Sequence, residues 1–461
     1  MRAEIRFSNA NAYKFKQKQT GEVDYSLVYE KLKKNFQSLK SPLEVDFRDM
    51  VGLVYGTDRY THLIHTYPAK LLLNIPYFFI HCSSLVDRNS TILDPFCGSG
   101  TVLLESILMG HRTLGADANP LARLITSVKT TVLDPSKLNQ MLLRILEHYE
   151  VSNTSFYPQN LINAEYWYSP RVIEQLGRLL FCVQQIKEER YRAFFSVCFS
   201  VCTRKLSLAD PKIAVPVRLN PERYTSNDVR RNKVVNHLNL LDSIEVEEVF
   251  HKVAMLNINR MNELYNCSGL GTLLELSNNA MDLNRIDNNS VDFILTSPPY
   301  AGAQKYVRSS SLSIGWLGLN IDKSLRALEK ENIGREHYLK EEYKRLIKVP
   351  LKSIEGLLQK IFDINPLRAH IAANYLCEMY EALKECHRVL KKDSRMILVV
   401  GNNVVCGQNF ETQKYLKKIC EIIGFEIELI LRDNIHSRGL MTKRNKTASV
   451  IASEWIIVFK K

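Results

Sequence analysis

The chain has 461 residues, 45% apolar and 24% charged, the composition of a soluble globular protein with enough apolar residues for a sizeable core. Lysine and arginine exceed aspartate and glutamate by 13, an excess that suits a polyanionic partner, nucleic acid first. Ten cysteines without a CxxC pair and eleven histidines without ligand spacing argue against a disulfide framework and a metal site. MRAEIRFSNANAYKFKQKQT lacks the apolar core of a secretory signal, and LLLNIPYFFI is too short to span a bilayer. The expected compartment is a reducing cytoplasm.

In chain order, residues 1–60 form a lysine-rich arm, helical or irregular. Alternating short strands and helices begin near residue 61. TILD (91–94) is predicted as a buried strand, TVLLESILMG (101–110) as the helix after it, and Gly115 to Asp117 as the end of a second strand. Strand, glycine turn, helix, strand opens a doubly wound α/β sheet. From 135 to 271 the pattern turns helical in LNQMLLRILEHYE, RVIEQLGRLLFCVQQIKEE and VEEVFHKVAMLNINRMNELY, around a basic loop, ADPKIAVPVRLNPERYTSNDVRRNK. VDFILTS (291–297) returns to the sheet, and a second irregular insertion covers 301–370. An amphipathic helix then carries Leu376, Met379, Leu383 and Leu390, MILVVGNN (396–403) is a buried strand, and FEIELILRD and SEWIIVFKK form a closing antiparallel pair.

Four stretches carry chemistry. In DPFCGSGT (94–101), Gly98 and Gly100 permit a tight strand-to-helix turn whose amides face a ligand; no lysine follows them as a P-loop requires, which disfavours triphosphate binding. Asp117, 17 residues beyond Gly100 in GADANP, stands where a carboxylate accepts both hydroxyls of a ribose. The loop NNAMDLN places Asn279 or Asp282 to meet the exocyclic amine of an adenine ring. In TSPPY (296–300) a strand stops at Ser297, Pro298, Pro299 and Tyr300. If this strand lies beside TILD, a hydroxyl, a rigid carbonyl and a flat ring stand next to that ligand, a pocket for a planar substrate bearing an NH2 group.

DPFCGSGT, GADANP and TSPPY together resemble the DNA amino-methyltransferases that use S-adenosylmethionine, the serine of TSPPY being typical of cytosine-N4 enzymes. YTHLIHTYPAKLLLNIPYFF is similar to the family segment that helps bind the methionine moiety, and ALKECHRVLKKDSRMILVVGNN to its helix and strand after the catalytic motif. The resemblance covers about 61–134 and 272–461, the expected catalytic domain, with 1–60 as arm and 135–271 as helical insertion. It implies a mostly parallel seven-stranded sheet with a terminal antiparallel strand pair. It also implies S-adenosylmethionine contacts at Tyr67, Lys70, Asp94, Phe96, Cys97, Gly98, Gly100, Thr101, Asp117, Asn119, Asn279 and Asp282. Family members often carry an acid where Asn279 stands, and several cytosine-N4 enzymes have the two motifs in the opposite order.

The expected reaction is methylation of the cytosine N4 amine in double-stranded DNA, within restriction–modification or host marking, with a cognate endonuclease as a possible partner. Ser297 and the Pro298 carbonyl would hold the amine, and Tyr300 would stack on a base drawn out of the duplex. Adenine-N6 methylation follows the same logic and remains the alternative. An RNA amino-methyltransferase and an inactive nucleic-acid-binding homologue rank behind it. Carbon-five chemistry is disfavoured because no Pro-Cys dipeptide occurs. Target recognition is expected from the insertion through Arg218, Arg223, Arg230, Arg231 and Lys233, and a DNA channel from Lys305, Tyr306 and Arg308.

Overall fold

The computed structural model describes residues 23–51, 59–68, 70–302, 306–320, 324–434 and 453–461. Apolar runs such as TILD and VDFILT cannot sit on a half-exposed surface, and they form the centre of a large sheet. Its strands are β1 (Leu43–Val45), β2 (Thr91–Asp94), β3 (Arg112–Ala116), β4 (Thr272–Ser277), β5 (Val291–Thr296) and β6 (Leu390–Gly401). A small hairpin, β7 (Asn403–Val405) with β8 (Gln408–Phe410), precedes the last two, β9 (Glu426–Asn434) and β10 (Ser453–Lys460). The order in the sheet is β1-β9-β10-β6-β5-β2-β3-β4. Its ladders are parallel except those of β10, which runs antiparallel to both β6 and β9.

The α/β class and the closing antiparallel pair are as the sequence indicates. The strand count is corrected: among the described residues the sheet has eight strands, not seven, because Leu43–Val45 from the arm adds a parallel edge to β9 through Leu43↔Leu431.

Successive residues of the central strands alternate between two cores, as the pleat requires. Ile92, Phe293, Leu295, Ile397 and Val399 face α1 (Ser26–Leu39) and α2 (Asn74–Ile80). Leu93, Ile294, Met396, Leu398 and Val400 face the other way, where Leu376, Met379 and Leu383 supply the cover. From β2 the chain proceeds outward to β3 and β4; β5 and β6 lie on the opposite side. The switch therefore falls between β2 and β5, which pair through Ile92↔Phe293 and Leu93↔Ile294. Ligands of doubly wound sheets bind outside the carboxyl ends of the strands at such a point.

Two helices follow the switch-side strands: α3 (Thr101–Leu108) after β2, and α4 (Pro120–Thr130) after β3. Asn119 caps α4, its side chain accepting from Leu121 N, with proline in the first turn. Residues 135–271 are helical, with α5 (Pro135–Val151), α6 (Pro170–Gln184), α7 (Glu189–Lys205), α8 (Val229–Ser243) and α9 (Val246–Tyr265). Four of these share a core with α4, uniting Leu121 and Ile125 with Leu142, Leu176, Phe195 and Phe250. α8 differs: Leu241 is its one buried residue.

After β5 come α10 (Tyr306–Ser309), α11 (Ser311–Trp316), α12 (Leu325–Lys330), α13 (Glu355–Ile364), α14 (Pro366–Val389) and, beyond the hairpin, α15 (Thr412–Ile423). Ser313 of α11 donates to Ser200 O at 3.1 Å and lies 3.0 Å from the Thr203 hydroxyl, both on α7. Among the described residues no helix is long and apolar enough to cross a membrane.

Candidate active site

The turn after β2 is built by backbone bonds and by two residues without a Cβ. Cys97 N donates to Ala116 O at 2.9 Å, tying the turn to β3, and Gly100 N donates to Cys97 O at 2.7 Å. Gly98 and Gly100 have φ of +50° and +73°; a Cβ on Gly100 would sit 2.9 Å from the Thr126 side chain. Thr126 in turn donates its hydroxyl to Gly98 O at 2.9 Å.

A cavity with about 620 Å³ of empty space opens at the switch point. Of the residues expected to bind ligand or DNA, Tyr67, Phe96, Gly98, Asp117, Asn279, Ser297, Pro299 and Tyr306 line it. Asp117 accepts from Gly98 N at 3.0 Å and from Asn119 N at 2.8 Å. Burial pushes its carboxyl up to about 6, against the downward pull of those two donors. Asn279 accepts from Met281 N at 2.9 Å through its side-chain oxygen, which folds the loop that forms the cavity wall.

Other expected residues stand behind the wall. Asp94 is buried; it accepts from the Thr296 hydroxyl at 2.6 Å and from Phe96 N at 3.1 Å, and burial raises its carboxyl to about 7. Cys97 is buried and its thiol is pushed well above the ordinary range by burial, so it is no thiolate nucleophile. Gly100 and Thr101 are buried at the start of α3. Asn119 does not reach the cavity: its oxygen caps α4 and its amide donates to the Tyr67 hydroxyl and to Ser310 Oγ, each at 3.1 Å. It holds a lining tyrosine in place. Lys70 and Asp282 are exposed and do not line the cavity; Lys70 Nζ donates to His62 O at 3.4 Å.

Within SPPY, Ser297 and Pro299 face the cavity, Pro298 is buried, and Tyr300 is half-buried beyond the lining. A second cavity of about 370 Å³ shares Tyr306, Asn332 and Ile333 with the first and continues along Gly334, Arg335 and His337. Glu331, Asn332 and Ile333 were not foreseen, because they lie inside the stretch read as an irregular insertion; Gly334 in a polar run was the one local sign. Arg123, also missed, donates to the carbonyls of Asp117 and Ala118 and so fixes the loop that carries the carboxylate.

None of the insertion residues expected to bind DNA lines the cavity. Arg218 stands over the Tyr166 ring at 4.8 Å, Arg230 pairs with Asp228 at 2.7 Å, and Arg231 pairs with Glu222 at 3.1 Å. Arg223, Lys233 and Arg308 are exposed, and Lys305 lies outside the described residues.

By sequence, the chain is similar to known methyltransferases. A family model described as DNA methylase matches residues 4–126, a span that holds the glycine turn and Asp117 and ends before TSPPY. The type II methyltransferase M.MvaI of Kocuria varians is 25% identical over 377 residues, covering 76% of this chain and 78% of that protein. M.AvaI of Anabaena variabilis, also a type II methyltransferase, is 24% identical over 371 residues, or 74% of each. Among solved structures, a SAM-dependent methyltransferase from Methanosarcina mazei shares 10% identity over 82% of this chain and 95% of its own, with a TM-score of 0.29. The chain is thus similar to the N4/N6 DNA methyltransferases, over its first 126 residues by the family model and over about three quarters of its length by these two relatives.

Proposed function

We propose that the protein transfers a methyl group from S-adenosylmethionine to the N4 amine of cytosine in double-stranded DNA. The observation that carries this reading is the meeting of Asp117, Gly98 and Ser297 on one cavity at the switch between β2 and β5. The residues fit a nucleoside cofactor. A carboxylate stands on the wall, Gly98 leaves open the space beside the Tyr67 ring, and Phe96 offers an apolar face. When bound, S-adenosylmethionine supplies an electrophilic methyl group on its sulfonium. Asp117 would accept from the ribose hydroxyls, Asn279 and the Asn278–Ala280 loop would border the adenine, and Asp94 would brace the turn from below.

The chain's own part in the reaction is placement. An exocyclic amine is a weak nucleophile because its lone pair is delocalised into the ring. Ser297 Oγ and the Pro298 carbonyl accept from its two N–H groups, which favours a pyramidal nitrogen with its lone pair aimed into the cofactor cavity. Two prolines keep that carbonyl from drifting. Tyr300, beyond the cofactor cavity, offers a face on which the extruded base stacks, a contact of about 1–3 kcal/mol, and Tyr306 flanks it between the two cavities. Buried Cys97 supplies no nucleophile for carbon-five chemistry.

The insertion is the proposed DNA-reading part. Its basic stretch leaves α7 just beyond Thr203, which touches Ser313 in the helices that carry Tyr306. Arg218, Arg223, Arg230, Arg231, Lys233, Lys305 and Arg308 are the proposed DNA contacts. A type II restriction–modification setting, with a cognate endonuclease, and a cytoplasmic location complete the proposal.

The serine of SPPY favours cytosine over adenine-N6, the second reading. The test is transfer of labelled methyl from S-adenosylmethionine to unmethylated duplex DNA and, in parallel, to RNA. Label in DNA that is strongly reduced with Ser297→Ala supports the assignment; label confined to RNA contradicts it.

A further inference from the structure

The loop that begins at Ser297 is gripped beyond Tyr300 from two sides. On one side Asn403 of β7 donates from Nδ2 to Ala301 O at 3.0 Å. On the other, Gly302 N donates to Gly334 O at 3.2 Å. Gly334 sits so close that a Cβ there would lie 2.9 Å from Tyr300 O and 3.4 Å from the Tyr375 ring, and its φ of +77° suits glycine alone. Gly334 immediately follows Glu331, Asn332 and Ile333, which form one wall of the cofactor cavity. A single short segment is thus both the wall of one site and the buttress of the other.

Glu378 of α14 holds that segment. One carboxylate oxygen accepts from Gly334 N at 3.2 Å and the other from Arg335 Nη1 at 2.8 Å. Arg335 Nη1 also donates to Lys330 O at 3.1 Å, closing the stretch on itself. The Glu378 side chain is 14% exposed and that of Arg335 21%, so the pair is shielded from water and stronger than a surface ion pair. Nothing in Glu378 reaches either cavity.

Resting on the function proposed above, we infer that Glu378 is a positioning residue: through Gly334 it fixes the backbone of Tyr300–Gly302, and so the stance of Ser297 and Tyr300 toward the cofactor cavity. A carboxylate fits this task because it binds an amide and a guanidinium at once. Placement errors near 1 Å cost about 100-fold in rate where catalysis is a matter of geometry.

The experiment compares wild type, Glu378→Ala, Glu378→Gln and Gly334→Ala. Hydrogen exchange of the Tyr300–Gly302 amides, S-adenosylmethionine affinity by calorimetry, and kcat and KM for methyl transfer to DNA are measured on each. In Glu378→Ala and Gly334→Ala the Gly302 amide should exchange about ten-fold faster or more, and kcat should fall about 10- to 100-fold, with cofactor affinity within about three-fold of wild type. Glu378→Gln, whose one oxygen can still accept from Gly334 N while its NH2 must face the Arg335 guanidinium, should recover only part of both. An unchanged Gly302 exchange rate in Glu378→Ala, or acceleration spread evenly over the whole molecule, overturns the positioning role. If wild type methylates no DNA, the functional reading fails while the exchange comparison still decides the positioning role, faster exchange confined to the loop supporting it and unchanged exchange overturning it.

Discussion

Thr296 donates its hydroxyl hydrogen to Asp94 at 2.6 Å, joining the ends of β5 and β2 where their ladder has stopped. The last paired residues are Leu93 and Ile294; beyond them the side-chain bond takes over. It links the strand that leads into the glycine turn with the strand that leads into SPPY. Burial raises Asp94 to about 7, so its ionised form costs stability as pH rises from its unfolded value near 4 through 7. The Thr296 hydroxyl favours that ionised form. Thr296→Val should therefore lower stability by about 1–3 kcal/mol, more at pH 8 than at pH 6, with Thr296→Ser near wild type. Urea unfolding at the two pH values measures this; equal losses at both would show that the bond does not act on the carboxylate.

Ser297 is assigned to the amine and Asp117 to the cofactor, and the two roles separate in experiment. Ser297→Ala should cut single-turnover methyl transfer by about 100-fold while S-adenosylmethionine binds within about three-fold of wild type. Calorimetry beside rapid-quench kinetics gives both numbers. Loss of cofactor affinity in step with turnover would place Ser297 in the cofactor site instead.

Asp117 titrates near 6 because it is buried, only partly offset by two backbone donors. Above that value the carboxylate accepts from ribose hydroxyls; below it a proton occupies one oxygen. Cofactor affinity should thus weaken as pH falls through about 6, and Asp117→Asn should bind poorly with little pH dependence. In the protein without cofactor the sign is opposite: the raised value means stability declines as pH rises from about 4 to 6. Titrations at pH 5.5 and 8 with equal affinities would remove Asp117 from the ribose.

The basic stretch of the insertion should reveal itself through salt. Removing one phosphate-binding cation should reduce the slope of log affinity against log salt by about 1. Lys233→Ala is expected to do so. Arg230→Ala should do less, because that guanidinium must first give up Asp228. Slopes identical to wild type in Lys233→Ala and Arg223→Ala would direct attention away from this stretch.

What the sequence disclosed follows from how much chemistry each segment concentrates. β2, β3, β5 and the β9–β10 pair are short apolar runs bounded by glycine, proline or acid, and near-continuous burial of β2, β3 and β5 leaves them no place but the middle of a sheet covered on both faces. β1 escaped notice because three residues of a lysine-rich arm have no period, and their pairing is with residues almost four hundred positions away. β4 is an edge strand with little burial, so TLLELS shows a weak pattern. α8 reads in sequence as part of a basic loop and its sequel, since with Leu241 alone buried it has no apolar stripe. At the site, Gly98, Asp117 and Ser297 stood out because each sits at a strand end where few residue types fit. Glu331 to Arg335 did not, because contact with SPPY is made by backbone atoms, which any sequence supplies.

The central claim is the base. Purified protein, S-adenosylmethionine and unmethylated DNA should be incubated together, and the DNA digested to nucleosides for mass spectrometry. N4-methylcytosine is the predicted product, formed about 100-fold more slowly with Ser297→Ala. N6-methyladenine in its place would contradict the account at the residue on which it rests.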